Sequence, residues 1–413
     1  MEKKSFWTPV ITMTAIYFFV WGFAAMDRLL IAMLFPYILP EFKLSFAQAG
    51  MLMACMSVGF LVFEFIGGIL SDKYGRRKVI LPSVFVFSIV SAITGFATGF
   101  AQLIGVRTIV GAGEGAFATP ATAHIFDECP PEKRGIYLGF YVSAFALFGS
   151  FVAPIYATQI AAHWGWRWAF YLTIIPGIVL ALLIWGFVKE SVRFRRPEQA
   201  AAPKARWRQV MKERNIVVAC LLAICWMVWL WSWLSFGTVF FVNVKHLSTG
   251  MAGILQSALG AGGFLGMIAL PGFSDKVGRR IPLIVGTIIG LVGTAAIVYL
   301  PGTSPVLMWI ALFVTAFVTW GYSPIILSVI PSESVPPERI AFGVACVTGL
   351  AELAGIAVAP PILGAIGDKF GLTTTMLCGG AVLIPVLLLA SFALRETAPK
   401  FTSAKARAPS AVR

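Results

Sequence analysis

Apolar runs of about 20 residues recur along the whole length of the 413-residue chain, from the N-terminal tenth to the last twenty residues. As helix, each is long enough to cross a hydrocarbon core of roughly 30 Å. Bulk water cannot be the main solvent of such a chain. The composition agrees: 59% of the residues are hydrophobic and 12% are charged, against about 45–50% apolar and about 25% charged in an ordinary soluble domain. The sequence therefore reads as an all-α polytopic membrane protein. Helices are expected at roughly 8–36, 45–70, 79–99, 102–125, 135–160, 166–188, 215–243, 250–272, 281–300, 304–330, 338–366 and 373–394, which makes twelve transmembrane helices.

The net charge of +14 does not point to nucleic acid, because the basic residues crowd the short connections between apolar runs and form no RNA or DNA motif. With the N-terminus in the cytoplasm, cytoplasmic segments hold 26 of the 32 Lys and Arg residues. The opposite side holds four, Lys43, Arg167, Lys245 and Lys369, and Arg28 and Arg107 lie within spans. That asymmetry predicts an inner (plasma) membrane protein with both termini cytoplasmic. Lys3 and Lys4 precede an apolar stretch as in a signal peptide, but Asp27 and Arg28 interrupt it and more spans follow, so it reads as a retained first helix. The longest connection, about 189–214, is basic and divides the chain into an N-terminal six-helix bundle at 1–188 and a C-terminal bundle with a cytoplasmic tail at 215–413. Six cysteines without CxxC spacing read as packing residues.

The chain also repeats itself. Asp72-Lys73-Tyr74-Gly75-Arg76-Arg77 returns as Asp275-Lys276-Val277-Gly278-Arg279-Arg280, displaced by 203 positions. Pro130-Pro131-Glu132 returns as Pro336-Pro337-Glu338, and Gly149 with Ala153-Pro154 returns as Gly355 with Ala359-Pro360, all displaced by 206. Duplicated helical bundles are a common way to build the gates of a transporter. The stretch Gly68-Ile69-Leu70-Ser71-Asp72-Lys73-Tyr74-Gly75-Arg76-Arg77-Lys78 resembles the loop 2–3 signature of the major facilitators. The resemblance implies two pseudo-symmetric six-helix bundles around a central cavity lined by helices 1, 4, 7 and 10, with the bundles rocking to expose it alternately. Asp72 with Arg76, and Asp275 with Arg279, are expected either to latch the cytoplasmic side or only to fix topology.

Ionisable residues inside a membrane are functional candidates by default, and six qualify: Asp27, Arg28, Glu64, Arg107, Glu114 and Glu352. The repeat places Phe313 opposite Arg107 and Trp320 opposite Glu114, so the ionic chemistry belongs mainly to the N-terminal half. Seven residues separate Arg107 from Glu114, about 10 Å along one helical face, too far for direct pairing. Water, a substrate carboxylate, or Asp27 and Arg28 fill that gap; alternatively the charges only lock helix 1 to helix 4. Asp27-Arg28-Leu29-Leu30-Ile31-Ala32, together with Arg107-x-x-x-Gly111-x-Gly113-Glu114, resembles the anion:cation symporters that carry organic anions and sugar acids. That resemblance implies Asp27 and Glu114 as proton-coupling carboxylates, Arg28 as an anion-binding or gating residue, and Arg107 as a candidate partner of Glu114. Two arginines near two carboxylates favour an anion, so Arg28 and Arg107 are both expected to bind the substrate. Glu64 departs from the pattern, where glutamine is expected. Spinster-type lipid transporters share a similar Asp-Arg and Gly-x-Gly-Glu pattern.

Gly149-Ser150-Phe151-Val152-Ala153-Pro154 lacks the arrangement of an antiporter signature, which argues against a proton-driven drug exporter. Of the aromatic residues in helices 7 and 10, Trp320 and Tyr322 are expected at the cavity, since Gly321 and Pro324 mark irregular helix nearby. The sequence thus predicts a monomeric secondary transporter, not an enzyme, that couples a small organic anion to protons in the lipid bilayer. It needs no cofactor or metal and draws its energy from the proton gradient. A Spinster-like lysolipid transporter, a drug exporter and a non-transporting receptor remain as alternatives.

Overall fold

The computed structural model describes residues 9–130, 133–191, 207–336, 339–398 and 400. Of the features above, Lys3, Lys4, Pro131, Glu132, Pro337, Glu338 and most of the 189–214 connection lie outside the described residues. Ten helices are long and apolar enough to cross a membrane. They are α1 (Pro9–Met33), α2 (Phe46–Tyr74), α3 (Arg76–Thr94), α5 (Arg134–Trp164), α6 (Trp166–Phe187), α7 (Arg214–Asn243), α8 (Thr249–Val277), α9 (Arg280–Tyr299), α11 (Phe342–Phe370) and α12 (Leu372–Ala393). The numbering leaves places for α4 (Phe100–Glu128), which is long enough but carries Arg107 and Glu114 among its glycines, and for α10. The last is split into Pro305–Thr319 and Ile325–Ser334, because Pro324 has no N–H to offer the preceding turn. The twelve helices form the two six-helix bundles expected of the major facilitator fold, and no strand occurs among the described residues.

The sequence repeat is also a structural one. Glycines bring α2 and α4 together: a Cβ at Gly59 would overlap the Thr108 carbonyl, and one at Gly111 the Met56 carbonyl. In the second half, a Cβ at Gly262 would overlap the Phe313 carbonyl and one at Gly266 the Phe317 carbonyl, holding α8 to α10 in the same way. Four glycines with positive φ form two repeat pairs, Gly75 with Gly278 and Gly165 with Gly371. A wide π turn at Phe145–Val152 in α5 has its counterpart at Leu353–Val358 in α11. In both, a proline follows (Pro154 and Pro360) and cannot close the ordinary i→i−4 bond.

Two faces differ in how the halves meet. On the face carrying Lys43 and Lys369, a Cβ at Gly50 would overlap the Pro360 carbonyl and one at Gly364 the Phe46 carbonyl, so α2 and α11 touch backbone to backbone. Asp368 of α11 accepts the Phe46 N–H at 2.7 Å and the Ala47 N–H at 2.9 Å, placing a carboxylate from one half on the positive helix end of the other. Gly253 and Gly260 bring α8 equally close to α5. On the opposite, basic face, α2 and α11 diverge around a cleft of about 660 Å³ lined by Glu64, Phe65 and Asp72 from one half and Thr348 and Glu352 from the other.

The repeated spacing of the basic-face loops has a physical counterpart. Arg76 meets Asp72 at 2.6 Å and Asp127 at 3.4 Å, and Arg279 meets Asp275 at 2.6 Å and Glu333 at 2.7 Å. Glu190 accepts the Arg77 N–H at 3.2 Å, and Glu396 accepts the Arg279 N–H at 2.8 Å. Asp127 and Glu333, like Glu190 and Glu396, are 206 positions apart. Every described partner lies in the same half as its arginine, so these pairs brace each bundle internally rather than joining the two.

Candidate functional site

Consecutive residues of a helix point about 100° apart, so Asp27 and Arg28 of α1 face different surroundings. Asp27 turns into the N-terminal bundle. Its carboxylate accepts the Ser91 hydroxyl and, at 3.1 Å, the Arg107 Nη1, while Arg107 Nη2 donates to the Asp27 carbonyl at 2.7 Å and touches the Met56 sulfur at 2.8 Å. Ser91 in turn lies 3.1 Å from the Thr173 hydroxyl. Asp27 and Arg107 have no solvent exposure at all, and neither borders a described cavity.

The glycines around Glu114 explain why this part of α4 is so enclosed. Gly111 and Gly115 let the helix sink against the Met56 and Phe60 carbonyls of α2, and Gly113 lets it close on Phe87 of α3. Any side chain at these positions would hold α4 away from its neighbours and admit solvent to Arg107. The motif that resembles the symporter family is, in three dimensions, a wedge that seals two charges in place.

Arg28 points instead to the seam between the halves. Its Nη2 donates to Glu114 Oε2 at 2.9 Å and its Nε to the same oxygen at 3.1 Å. Its guanidinium lies 4.0 Å from the Phe60 ring centroid and 5.7 Å from that of Trp21. The other oxygen of Glu114, Oε1, is buried without a partner among the described residues. The pairing is therefore crossed with respect to the sequence expectation: Arg107 pairs with Asp27, and Glu114 pairs with Arg28. Two adjacent residues of α1 thus fill the 10 Å interval along α4, Asp27 at the Arg107 end and Arg28 at the Glu114 end.

Arg28 and Trp320 both border a central cavity of about 190 Å³ between the halves. Glu352 borders it as well, and Glu352 and Thr348 also line the larger cleft, so the cavity adjoins the basic face. Glu64 lies in that cleft, with the Thr119 hydroxyl 3.4 Å from its carboxylate. Tyr322, expected at the cavity, packs instead toward Gly286 of α9 and does not line it. Trp226 and Trp231 of α7 do line it, and the sequence reading passed over both. The signal was obscured because α7 is buried on every side from Trp229 to Phe241, so no single face of its aromatic residues stands out. Trp229 is satisfied within its own bundle by the Thr294 hydroxyl at 3.1 Å.

Comparison with known proteins gives relatives of the same kind. The chain is 28% identical over 314 residues to the probable 4-methylmuconolactone transporter of Cupriavidus pinatubonensis, spanning 73% of this chain and 69% of that one. It is 26% identical over 262 residues to the hexuronate transporter of Bacillus subtilis, spanning 62% of each. Among solved structures, a bacterial homolog of the human lysosomal transporter Spinster, in an inward-facing and occupied conformation, superposes with a TM-score of 0.76 over 96% of both chains at 20% identity. At that identity the likeness establishes the fold alone. The Major Facilitator Superfamily profile matches residues 17–357, and with this fold and these relatives the chain belongs to the Major Facilitator Superfamily, a family of transporters rather than enzymes.

Proposed function

We propose that the chain is a proton-coupled symporter taking up a small organic anion by alternating access. The observation that carries this reading is the Arg28–Glu114 pair, in which a guanidinium bordering the central cavity is held by a carboxylate sealed behind it. A substrate carboxylate arriving in the cavity competes with Glu114 for Arg28. A buried carboxylate that loses its counter-ion is strongly disfavoured unless a proton neutralises it, so anion binding and proton uptake favour one another. Asp27 and Arg107, enclosed and mutually satisfied, hold α1 to α4 as a fixed reference for that exchange. The sequence alone assigned Asp27 to coupling and Arg107 to the substrate; this geometry favours dividing the four charges into one switch and one clasp.

The remaining organisation follows the same reading. The basic face is cytoplasmic, the open cleft is an inward-facing exit in the inner membrane, and a monomer with halves at 1–188 and 215–413 joined by 189–214 carries out the cycle. The relatives named for muconolactone and hexuronate transport support an organic acid as cargo. The compact cavity favours a small acid over the lysolipid of the Spinster-type alternative. Glu114→Gln tests the coupling, because it imitates the protonated acid but cannot release a proton. In proteoliposomes this variant should lose uptake driven by a pH gradient while retaining counterflow between equilibrated compartments. Full gradient-driven accumulation by Glu114→Gln would refute coupling through this pair.

A further inference from the structure

A further groove is built by the N-terminal bundle alone and shares no residue with the central cavity or the basic-face cleft. There α2 and α3 stand apart over α4, whose small residues Ala112, Gly113 and Ala116 form the floor of a depression of about 710 Å³. Val62 of α2 and Val86 of α3 wall it and are half-exposed. Along its length the hydroxyls of Ser83 and Thr108 are spent on their own helices, donating to the Val79 and Ile104 carbonyls at 2.7 Å each. What the groove offers is therefore apolar surface, except at the end on the basic face, where Tyr74 and Lys78 stand.

Length and charge together point to one kind of occupant. Val58 and Tyr74, both lining the groove, are sixteen positions apart on α2, roughly 24 Å of helix. One leaflet with its headgroups is roughly 20–22 Å thick, so the groove is about as long as one lipid molecule. The acids nearest Lys78 are already engaged: Asp72 and Asp127 meet Arg76, and Glu190 accepts the Arg77 N–H. Lys78 is exposed and has no acidic partner among the described residues. A cation at headgroup depth above an apolar channel complements an amphiphile with a negative head. The repeat supplies an internal contrast, because the position 203 residues beyond Lys78 is Ile281. The other half presents no cation there.

We propose that this groove seats one anionic phospholipid, with an acyl chain laid along the α4 floor and the headgroup phosphate at Lys78. The test uses the full chain in a neutral detergent, titrated with dioleoylphosphatidylglycerol and dioleoylphosphatidylcholine and read by native mass spectrometry. The two lipids share their chains and differ in headgroup charge. The unmutated chain should retain phosphatidylglycerol as its first lipid by at least about fivefold over phosphatidylcholine. Lys78→Ile, which makes the two repeats alike, should lower that preference about fivefold. Lys276→Ile removes an exposed lysine from the basic face of the other half and should leave the preference within about twofold. Ala116→Phe fills the floor and should abolish retention of the first lipid. Retention of neither lipid, or of both equally, by the unmutated chain would overturn the proposal. So would an equal loss of preference in Lys78→Ile and Lys276→Ile, which would assign it to the basic face as a whole. A dimer that Ala116→Phe disperses would assign the groove to a second copy of the chain instead. The comparison of the two lysine variants decides the matter even if Ala116→Phe does not fold.

Discussion

Asp27→Asn is the perturbation that best separates a clasp from a proton carrier. It leaves a side chain of nearly the same shape but removes the carboxylate that, among the described residues, pairs with Arg107, a guanidinium with no solvent exposure. Breaking a buried pair from one side strands the remaining charge and costs about 3–5 kcal/mol. With an unfolding entropy of about 2.1 cal/mol/K per residue, a chain of 413 residues carries roughly 0.9 kcal/mol/K, so the melting temperature should fall by about 3–6 °C. Arg107→Leu should do the same, since it strands Asp27. The double variant Asp27→Leu with Arg107→Leu should recover more than half of the loss, because two apolar side chains leave no charge to strand. Recovery should stay incomplete, since Ser91 and the Asp27 carbonyl each lose one side-chain partner. Melting in a fixed detergent at a fixed protein concentration measures all three. An Asp27→Asn protein that melts like the wild type yet fails only in gradient-driven uptake would refute the clasp and return Asp27 to the proton path.

Three further outcomes follow from the fold. Gly364→Val should wedge α11 from the Phe46 carbonyl at about 1–3 kcal/mol, shifting the balance toward a state open on the Lys43 face; labelling of a cysteine placed near Thr158 should rise by about tenfold, and unchanged labelling would show that this seam does not gate. Glu41 accepts from Arg167 and Trp166 at 2.6 Å each, and the Arg167 contact, followed by Trp166, holds its carboxyl below the usual range. A lowered folded value stabilises above the free carboxylate's value of about 4.3 and is lost as pH falls through the lowered one, so Glu41→Gln should melt about 1 °C below wild type at pH 7, with the gap closing as the pH falls through that lowered value; a gap that persists in strong acid would contradict the pairing. Cysteines at Lys43 and Lys369 should react with impermeant reagents in intact cells, and one in 189–214 only after permeabilisation; labelling of the linker from outside would invert the topology.

Much of the fold was legible because hydrocarbon leaves a long, apolar signature and because the chain states its architecture twice. The two helices that fall short of that signature, α4 and α10, are repeat mates, and both depart from it where the site lies: one carries charges, the other a break at Pro324. The charged residues were legible for the same reason, since each stands out against an apolar background. Their pairing was not. Spacing along α4 gave the distance between Arg107 and Glu114, but which α1 side chain each meets depends on the rotation of α1 about its own axis, and α1 is buried so completely from Gly22 to Leu34 that hydrophobic periodicity cannot fix it. The same loss of periodicity in α7 hid Trp226 and Trp231, and Tyr322 was misplaced because the break in α10 turns it away from the direction a continuous helix would give.

The internal bracing of each bundle sets the mechanical character of the molecule. Arginine pairs that stiffen α2, α3, α4 and α6 against one another, and their counterparts in the other half, leave little compliance inside a bundle, so strain accumulates at the thin glycine contacts where the halves touch. In the proposed alternating-access cycle those contacts would act as a fulcrum. A tilt of roughly 10–15°, the size of rigid-body rotations in other proteins, acting over a membrane thickness of roughly 30 Å, displaces the opposite rim by roughly 5–8 Å. That travel is comparable to the width of one side chain, enough to carry Glu64 toward Glu352 and shut the passage. Under that proposal, leverage of this kind would convert small adjustments beside Arg28 into gate-sized movement without unfolding a single turn.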